Sequence, residues 1–339
     1  MIVVMQPDAT KENIDGVVAL VKENGLREQI IEGSELTVVA VIGDDRKKDR
    51  DVFEVLPGVQ KVMKVLAPYK RASREIKKER TQVRISDDCI VGGSKVPIIA
   101  GPCSVESEEQ ILKAAHAVKA VGATALRGGA YKPRTNPYSF QGLQEEGLKL
   151  LAKAREETGL AIVTEVLSEN DVELVADYAD CLQIGTRNAQ NFKLLDACGR
   201  LTQKPILYKR GMSNTLNEYL QATEYILDAG NPNVILCERG IRTFEDHTRN
   251  TLSISAVPEL QHCSHLPVII DPSQGTGHAH LVTSMSYASV AAGADALIIE
   301  VHPDPAHALT DGAQSITPEI LGEMMPIIKR VAQAIGRDA

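Results

Sequence analysis

The sequence predicts an α/β protein in which a small α+β domain precedes a (β/α)8 TIM barrel. From residue 96 onward, eight short aliphatic runs alternate with amphipathic stretches over about 240 residues, the pattern of a closed barrel of parallel strands. Residues 1–66 instead contain runs in the order β-α-β-β-α-β, which is the ferredoxin-like order. A length of 339 residues exceeds the usual ~100–200 of one domain, so a large domain with a small one is expected.

The elements of the N-terminal part follow from its apolar runs. Strands are expected at residues 2–5, 29–31, 37–42 and 59–66, and helices at residues 11–24 and 48–56. The segment 70–84 carries seven basic residues against two acidic ones, so we interpret it as a solvated linker, with a docking strip for an acidic partner as the alternative. Residues 83–85 and 89–91 predict a small hairpin. The expected domains are therefore 1–66, a linker with hairpin over 67–95, and the barrel over 96–339.

The barrel strands are short β-branched or aliphatic runs. They are expected at residues 97–100, 123–127, 161–166, 181–184, 206–209, 234–237, 268–270 and 296–301. Amphipathic stretches such as 107–121, 143–158 and 283–292 predict helices between them. A doubly wound open sheet is the alternative, but the Gly-x-Gly-x-x-Gly turn that would favour it does not occur in the sequence.

Composition excludes several classes of function. A net charge of −8 and the absence of Trp argue against a nucleic-acid partner, because phosphate backbones bind net positive surfaces. The six cysteines form no C-x-x-C pair, which favours a reducing compartment. No apolar run approaches 18 residues, so no membrane span is expected, and residues 1–5 are too short for a signal peptide. We expect a cytoplasmic protein.

Basic residues follow several of the predicted barrel strands. In a barrel the chemistry lies at the carboxyl ends of the strands, so these side chains should converge. They are Arg127 with Lys132 and Arg134, Arg187, Lys209 with Arg210, and Arg239. Converging cations are unfavourable unless an anion neutralises them, and guanidinium groups suit phosphate and carboxylate oxygens. A small polyanionic substrate is implied, although a single Arg after a strand is commonly a surface ion-pair partner.

A mixed set of sulfur, nitrogen and oxygen donors also follows the strands. The set is Cys103, Glu300, His302 and Asp311, with residues 271–280 between them. Such donors can hold a divalent transition metal. The alternatives are that Cys103 is a buried packing residue, and that Asp271, Glu300 and Asp311 cap helices or pair with arginines.

Six stretches together resemble one enzyme family. They are "AGPCSVE", "LRGGAYKPRTNPYSFQGL", "QIGTRNAQNF", "KRGMSNT", "ILCERGIRTFE" and "EVHPDPAHALTDGAQS". The chain resembles, over nearly its whole length, 3-deoxy-arabino-heptulosonate 7-phosphate (DAHP) synthase of the shorter class with an N-terminal ferredoxin-like regulatory domain. The resemblance implies a transferase that condenses phosphoenolpyruvate with erythrose 4-phosphate and releases phosphate. This is the first step of the shikimate pathway to chorismate and the aromatic amino acids.

The resemblance also implies roles for the basic residues. Arg127, Lys132 and Lys209 would hold the phosphoenolpyruvate carboxylate, and Arg187, Lys209 and Arg239 its phosphate. The aldose phosphate would be received by Lys132, Pro133, Arg134 and Thr135. Glu165 would order the attacking water or accept its proton, and Lys132 and Cys103 would also take part in catalysis.

The metal ligands implied by the family are Cys103, the residue at position 274, Glu300 and Asp311. The family usually has His at that position, where this chain has Gln274. Because a neutral amide oxygen is a poorer ligand than imidazole for late transition metals, we expect weaker binding and a preference for Mn²⁺ or Mg²⁺ over Fe²⁺, Zn²⁺ or Co²⁺. His278 or His280 is an alternative ligand.

Regulation and two competing functions remain open at this point. The N-terminal module could serve oligomer packing and stability, or it could carry an effector site; the resemblance favours an inhibitory site for an aromatic amino acid such as tyrosine near the second strand. We predict a homotetramer whose assembly this module supports. This chain offers Gln29 and Ile31 there, which carry no charge, so weak or absent tyrosine inhibition is expected. The competing functions are a paralogue that uses another phosphorylated aldose and a non-catalytic barrel that only binds a ligand or partner.

Overall fold

The structure is a computed structural model that describes residues 1–32, 36–43, 50–63, 68–134 and 136–338. These residues fall into two compact units, Met1–Lys70 and Arg71–Ala339. Within these described ranges, no helix has the length and apolar character needed to cross a bilayer.

The N-terminal unit is a four-stranded antiparallel sheet with two helices. Its strands are β1 (Ile2–Met5), β2 (Arg27–Glu32), β3 (Thr37–Ile42) and β4 (Val59–Met63), in the order β2-β3-β1-β4, and its helices are α1 (Lys11–Glu23) and α2 (Asp51–Glu54). Thr10 begins α1 through a capping box with Asn13. The ferredoxin-like prediction is confirmed. Parts of the predicted helix 48–56 and strand 59–66 lie outside the described residues.

The core of this unit lies between the sheet and the helices. Val17 and Val21 of α1 and Phe53 of α2 pack against Val3 and Val39 of the sheet, and all five are fully buried. Buried Val39 and Val41 alternate with more exposed residues along β3, which places one face of the sheet on the helices.

Eight parallel strands of the second unit close into a barrel. They are β7 (Ile98–Gly101), β8 (Ala125–Arg127), β9 (Ala161–Val166), β10 (Cys181–Ile184), β11 (Ile206–Lys209), β12 (Val234–Glu238), β13 (Val268–Ile270) and β14 (Leu297–Glu300), and β14 pairs with β7 to close the ring. The predicted barrel is confirmed, with strand ends within two residues of those expected. The open-sheet alternative is wrong because an open sheet has no pairing between its first and last strands.

Helices follow the strands around the barrel. They are α3 (Glu108–Ala120), α4 (Glu145–Thr158), α5 (Val172–Tyr178), α6 (Phe192–Arg200), α7 (Leu216–Asp228), α8 (Ala256–Cys263), α9 (Pro272–Thr276), α10 (Ala279–Ala291) and α11 (Pro318–Ala334). Ser107, Thr215 and Thr317 cap α3, α7 and α11 with their hydroxyl groups. The short α9 was not predicted, and it lies in the segment that connects β13 to α10.

A hairpin of β5 (Val83–Arg84) and β6 (Ile90–Val91) packs against the end of the barrel where the strands begin. Val83, Cys89 and Val91 are fully buried in one cluster with the first inward residues of the barrel strands, such as Ala125 and Cys181. The hairpin therefore covers the end opposite to the carboxyl ends of the strands.

The segment before the hairpin is part of the barrel unit. Ala72 and Ser73 are buried, and the Arg74 amide donates to the Cys263 carbonyl over 3.0 Å. The prediction of a solvated linker is therefore wrong for this part of the segment, because its backbone forms hydrogen bonds with the last residue of α8 and with His265 in the loop that follows. The charge pattern fits only its exposed portion, such as Lys77 and Lys78.

A buried carboxylate fixes this segment to the barrel. Asp295 is fully buried, forms ion pairs with Arg80 and, over 3.2 Å, with Arg337, and accepts the Val268 amide over 2.8 Å. One side chain thus connects the segment before the hairpin, the start of β13 and the C-terminal residues.

Replacement of this carboxylate should destabilise the barrel strongly. Asp295→Ala leaves the guanidinium groups of Arg80 and Arg337 without their buried partner, which typically costs ~3–5 kcal/mol of the free energy of unfolding. Urea unfolding followed by circular dichroism measures the change. Asp87→Ala removes the exposed Arg84–Asp87 pair and should leave stability essentially unchanged. Equal stabilities of the two variants would contradict the role assigned to Asp295.

Candidate active site

A cavity of about 230 Å³ lies at the carboxyl ends of the barrel strands. Among the described residues that line it, six are cationic and two carry carboxylates. The cations are Lys132, Arg134, Arg187, Lys209, Arg239 and Arg249, and the carboxylates are Glu165 and Asp311. The cavity wall is therefore strongly positive in a chain whose net charge is −8.

Asp271 neutralises part of this charge from a fully buried position. Its carboxylate lies 2.6 Å from Lys209 Nζ and 3.7 Å from Arg127 Nη1, and it caps α9 by accepting the Gln274 amide over 2.9 Å. Burial alone would raise the pKa of Asp271, but the charges of Lys209 and Arg127 hold it below its usual value. Both alternatives considered for Asp271, capping and pairing with cations, are confirmed.

Two guanidinium groups keep unsatisfied donors beside the cavity. Within the described part of the chain, neither Arg127 Nε nor Arg239 Nε has a hydrogen-bond partner, although both are buried. Burial lowers the pKa of Arg239, and its Nη1 donates to the adjacent Gly240 carbonyl over 3.3 Å. Because unpaired buried donors cost free energy, these groups favour an anion that completes their hydrogen bonds.

Glu165 lies on the cavity wall because its neighbour is a glycine. A Cβ atom on Gly185 would meet Glu165 Oε1 at 2.0 Å, so any larger residue would displace the carboxylate. Gln183, which pairs with Glu165 between β9 and β10, donates to its other oxygen over 3.4 Å. The register of two strands therefore orients this carboxylate towards the cavity.

Cys103, Glu300 and Asp311 form a candidate metal centre. One ligand atom of each lies within 4.8 Å of those of the other two. The Cys103 thiol donates to Asp311 over 3.2 Å, and Lys132 Nζ lies 3.0 Å from its sulfur. Burial raises the pKa of the Cys103 thiol to about 12, so a metal would have to displace its proton. One sulfur and two carboxylates fit a divalent transition metal.

Gln274 lies between this centre and Lys209, the lysine that the resemblance implies for phosphoenolpyruvate binding. Its side-chain oxygen accepts from Lys209 over 3.3 Å, and its NH2 group donates to Glu300 over 3.4 Å. The sequence predicted that the Gln274 oxygen is a metal ligand, whereas in the structure the NH2 group faces Glu300. The reason is that Lys209 can only donate and ionised Glu300 can only accept.

Several predicted residues are engaged elsewhere. Arg210 pairs with buried Glu238 over 2.8 Å and does not line the cavity. Among the described residues, the three-ligand group does not include His302, whose Nε2 lies 3.5 Å from Glu106 and whose Nδ1 accepts the Asp304 amide. The proposal of His302 as a ligand is therefore not supported.

The alternative histidine ligands also lie outside the group. His278 Nε2 contacts the His247 carbonyl over 3.2 Å, and its ring packs on that of His280 with centroids 5.4 Å apart. Neither lines the cavity.

Arg249 was missed by sequence reasoning. Its Nη1 lies 2.9 Å from Gln314 Oε1 and 3.4 Å from Asp311, and Gln314 in turn donates to Glu300 over 2.7 Å. Arg249 therefore orients two of the three candidate ligands, Asp311 directly and Glu300 through Gln314. It lies in the long loop between β12 and α8, where no strand pattern indicated its position, and no motif marked Gln314.

The predicted site residues are distributed as follows. The cavity is lined by Lys132, Pro133, Arg134, Glu165, Arg187, Lys209, Arg239, Gln274 and Asp311. Cys103 and Glu300 do not line it but contact residues that do, Cys103 through Asp311 and Glu300 through Gln274. Arg127 lies behind them, 3.0 Å from Glu300. Thr135 lies outside the described residues. Gln29 and Ile31 are exposed on β2 of the N-terminal unit, and the turn after β2 lies outside the described residues.

Two family models and several curated proteins match the chain. The DAHP synthetase I family matches residues 76–337, and the DAHP synthase ferredoxin-like domain matches residues 1–67. The phospho-2-dehydro-3-deoxyheptonate aldolase of Thermotoga maritima is 50% identical over 336 residues, which cover 99% of both chains. A 2-dehydro-3-deoxyphosphooctonate aldolase of Koribacter versatilis is 32% identical over 269 residues, which cover 73% of this chain and 95% of its own.

Solved structures agree with these matches. The crystal structure of the phospho-2-dehydro-3-deoxyheptonate aldolase (DAHP synthase) of Thermotoga maritima has a TM-score of 0.94 at 49% identity and covers 99% of this chain and 98% of its own. A truncated form of 3-deoxy-D-arabino-heptulosonate 7-phosphate synthase from that organism has a TM-score of 0.73 at 47% identity, covering 79% and 97%. The chain therefore belongs to the DAHP synthase family of metal-dependent enzymes, which condense phosphoenolpyruvate with erythrose 4-phosphate.

Proposed function

We propose that the cavity condenses phosphoenolpyruvate with erythrose 4-phosphate, and that its cations bind the charged groups of both substrates. One observation carries the proposal: among the described lining residues, six cations face two carboxylates. Each substrate carries a phosphate, and phosphoenolpyruvate also carries a carboxylate, so together they supply the negative charge that this wall lacks.

The phosphoenolpyruvate end of the cavity is assigned from burial and unsatisfied donors. Lys209 and Arg239, both almost fully buried, would bind the phosphate together with Arg187, which is exposed on the cavity wall. Arg127 and Lys132 would bind the carboxylate with Lys209. This assignment is supported by the free Nε groups of Arg127 and Arg239 and by charge-assisted hydrogen bonds being the strongest available to a buried guanidinium.

The aldose phosphate would bind to the residues after β8, Lys132, Pro133, Arg134 and Thr135. A divalent metal at Cys103, Glu300 and Asp311 would supply a Lewis acid that polarises the aldehyde oxygen. Carbon 3 of phosphoenolpyruvate would attack the aldehyde carbon, and the aldehyde oxygen would take up a proton to become a hydroxyl group. Water would add to carbon 2 and lose a proton, and phosphate would leave as the bond between carbon 2 and the phosphate oxygen breaks. Glu165 lies on the cavity wall, where it can accept the proton of that water. We propose Mn²⁺ as the preferred ion, because the site has two carboxylates and only one sulfur donor.

A second candidate function is condensation with a different phosphorylated aldose. It is favoured by the relatives named 2-dehydro-3-deoxyphosphooctonate aldolase, which are 28–32% identical to this chain. Those relatives cover 71–75% of this chain. The 50% identity over 99% of both chains to the Thermotoga protein favours erythrose 4-phosphate.

Phosphate release with a panel of aldoses tests the proposal. Purified protein with Mn²⁺ and phosphoenolpyruvate should release phosphate fastest with erythrose 4-phosphate, more slowly with arabinose 5-phosphate or ribose 5-phosphate, and not after EDTA treatment. Fastest release with a five-carbon aldose would support the second function. No release with any aldose would indicate a non-catalytic barrel.

Arg187→Ala should weaken phosphoenolpyruvate use. Loss of one hydrogen bond to a charged group costs ~1.5–3 kcal/mol, so KM for phosphoenolpyruvate should rise about tenfold or more. Steady-state kinetics at saturating aldose measures this value. The control is Lys153→Ala, because Lys153 is an exposed residue of α4 that pairs with Glu108 away from the cavity. Equal KM values for the two variants would contradict the assignment of Arg187.

We further propose that residues 1–66 form a domain that supports a homotetramer and responds weakly or not at all to tyrosine. Residues 67–95 would connect it to the barrel of residues 96–339. Gln29 and Ile31 are exposed on β2 and carry no charge with which to bind a zwitterion. A few missing hydrogen bonds of ~0.5–1.5 kcal/mol each would weaken an effector about ten- to a hundredfold.

Deletion of residues 1–66 should change the oligomeric state more than the response to tyrosine. Light scattering measures the mass of both proteins in solution, and phosphate release measures inhibition. The intact protein should have the mass of a tetramer and lose little activity at micromolar tyrosine. Half-maximal inhibition at micromolar tyrosine that the deletion abolishes would show that the domain is a tyrosine-binding regulator.

A further inference from the structure

We propose that Gln274 is not a metal ligand but a hydrogen-bond bridge between Lys209 and Glu300, so that the metal has three protein ligands. The inference rests on the proposed metal centre of Cys103, Glu300 and Asp311. It concerns Gln274, which the sequence analysis assigned as a fourth metal ligand.

The orientation of the Gln274 amide follows from its two neighbours. An ammonium group has donors only, and an ionised carboxylate has acceptors only. The amide satisfies both neighbours when its oxygen faces Lys209, at 3.3 Å, and its NH2 group faces Glu300, at 3.4 Å. A flipped amide would place NH2 against the ammonium and oxygen against the carboxylate, which loses two hydrogen bonds and adds two repulsions. One of the two lone pairs of the amide oxygen is thus used by Lys209, and the NH2 group, which cannot bind a metal, is the end that faces the ligand Glu300.

The backbone of Gln274 is fixed on both sides. Its N–H donates to Asp271 over 2.9 Å, and its carbonyl accepts from Asn250 over 2.9 Å. The next residue packs so tightly on Leu252 that a Cβ on Gly275 would lie 2.6 Å from the Leu252 side chain. Ser273 accepts the Glu300 amide over 2.9 Å, so the same turn also holds the end of β14. Reorientation of the side chain would therefore have to occur without movement of this turn.

Gln274 completes a closed ring of charged and polar groups. Lys209 contacts Asp271 at 2.6 Å, Asp271 lies 3.7 Å from Arg127, and Arg127 lies 3.0 Å from Glu300. Gln274 connects Glu300 back to Lys209. Donors and acceptors alternate around the ring. The amide has one acceptor end and one donor end, so it can connect the cation Lys209 to the anion Glu300.

Two consequences follow from this bridge. With Cys103, Glu300 and Asp311 as its protein ligands, the metal keeps positions open to water or substrate oxygen, as catalytic rather than closed structural sites do. The bridge also links a lysine of the phosphoenolpyruvate site to a carboxylate of the metal site. A change at position 274 should therefore affect phosphoenolpyruvate binding even when no metal is bound.

Metal and phosphoenolpyruvate titrations of the full-length protein test the bridge. The variants are Gln274→Leu, which removes both hydrogen bonds at similar volume, Gln274→Ala in case the Leu side chain perturbs folding, Gln274→His, and Cys103→Ala as the positive control. Mn²⁺ and Co²⁺ affinities are measured by competition with a chromogenic chelator, and phosphoenolpyruvate affinity by calorimetry in EDTA. Circular dichroism checks that each variant is folded.

The bridge predicts a distinct pattern of results. Gln274→Leu and Gln274→Ala should keep metal affinity within about threefold of wild type and the same Co²⁺ absorption spectrum, because no ligand is lost. Both should weaken phosphoenolpyruvate binding in EDTA about three- to tenfold, because the Lys209 ammonium loses one of the two groups, Gln274 and Asp271, that hold its position. Gln274→His should tighten metal binding at least tenfold and alter the Co²⁺ spectrum, because imidazole enters the coordination sphere.

Other results would overturn the inference. A metal affinity at least tenfold weaker in both Gln274→Leu and Gln274→Ala would show that the amide oxygen is a ligand. Unchanged phosphoenolpyruvate affinity in EDTA in both would show that no bridge to Lys209 operates. If Cys103→Ala also keeps wild-type metal affinity, the proposed metal centre itself is wrong, and the inference fails with it.

Discussion

The site is organised around positive charge that is buried without enough negative charge nearby. Lys209, Arg127 and Arg239 are almost completely removed from water. The buried carboxylates Asp271 and Glu300 neutralise part of this charge and leave Arg239 Nε without a partner. A buried ion without a partner lowers the free energy of unfolding. An anionic ligand that pairs with these cations therefore stabilises the barrel. Affinity for a phosphate and a carboxylate follows from this pairing.

The same charges place the candidate metal centre. Glu300 contacts Arg127 on one side and Gln314 on the other, and Asp311 contacts Arg249. These contacts orient two oxygen ligands towards Cys103 from outside the coordination sphere, which is how polar neighbours usually tune a metal site. Asp311 also adopts a left-handed backbone conformation with φ of 51°, and such strain in a residue other than glycine is typical of functional sites. The proposed anion site and the candidate metal centre therefore share Glu300 as a common boundary.

Much of the cavity lining could be predicted from the sequence, because many of the lining residues lie at the carboxyl ends of the barrel strands. Short aliphatic runs placed the barrel strands to within two residues, and residues at or directly after the carboxyl ends of the strands, such as Glu165 and Arg239, line the cavity. Arg249 could not be found in this way, because its position depends on the path of a long loop with no periodic pattern. The prediction of a solvated linker was wrong for a related reason. The basic composition of the segment gave no indication that Ala72 and Ser73 are buried.

The orientation of side chains could not be predicted from the sequence either. The sequence marked position 274 as a candidate ligand, but whether its amide presents an oxygen or an NH2 group depends on Lys209 and Glu300, which lie 65 and 26 residues away along the chain. Likewise, Arg210 follows β11 directly after Lys209 but pairs with Glu238. Adjacent residues on a strand point to opposite sides, and only one of the two basic residues reaches the cavity.

The most direct test of the account is a crystal structure of the protein with Mn²⁺ and phosphoenolpyruvate, with anomalous diffraction recorded near the manganese edge. The account predicts phosphate oxygens within hydrogen-bond distance of Arg187 and Arg239, and the anomalous peak between Cys103, Glu300 and Asp311. Phosphoenolpyruvate bound away from these arginines, with Arg239 Nε still unpaired, would contradict it.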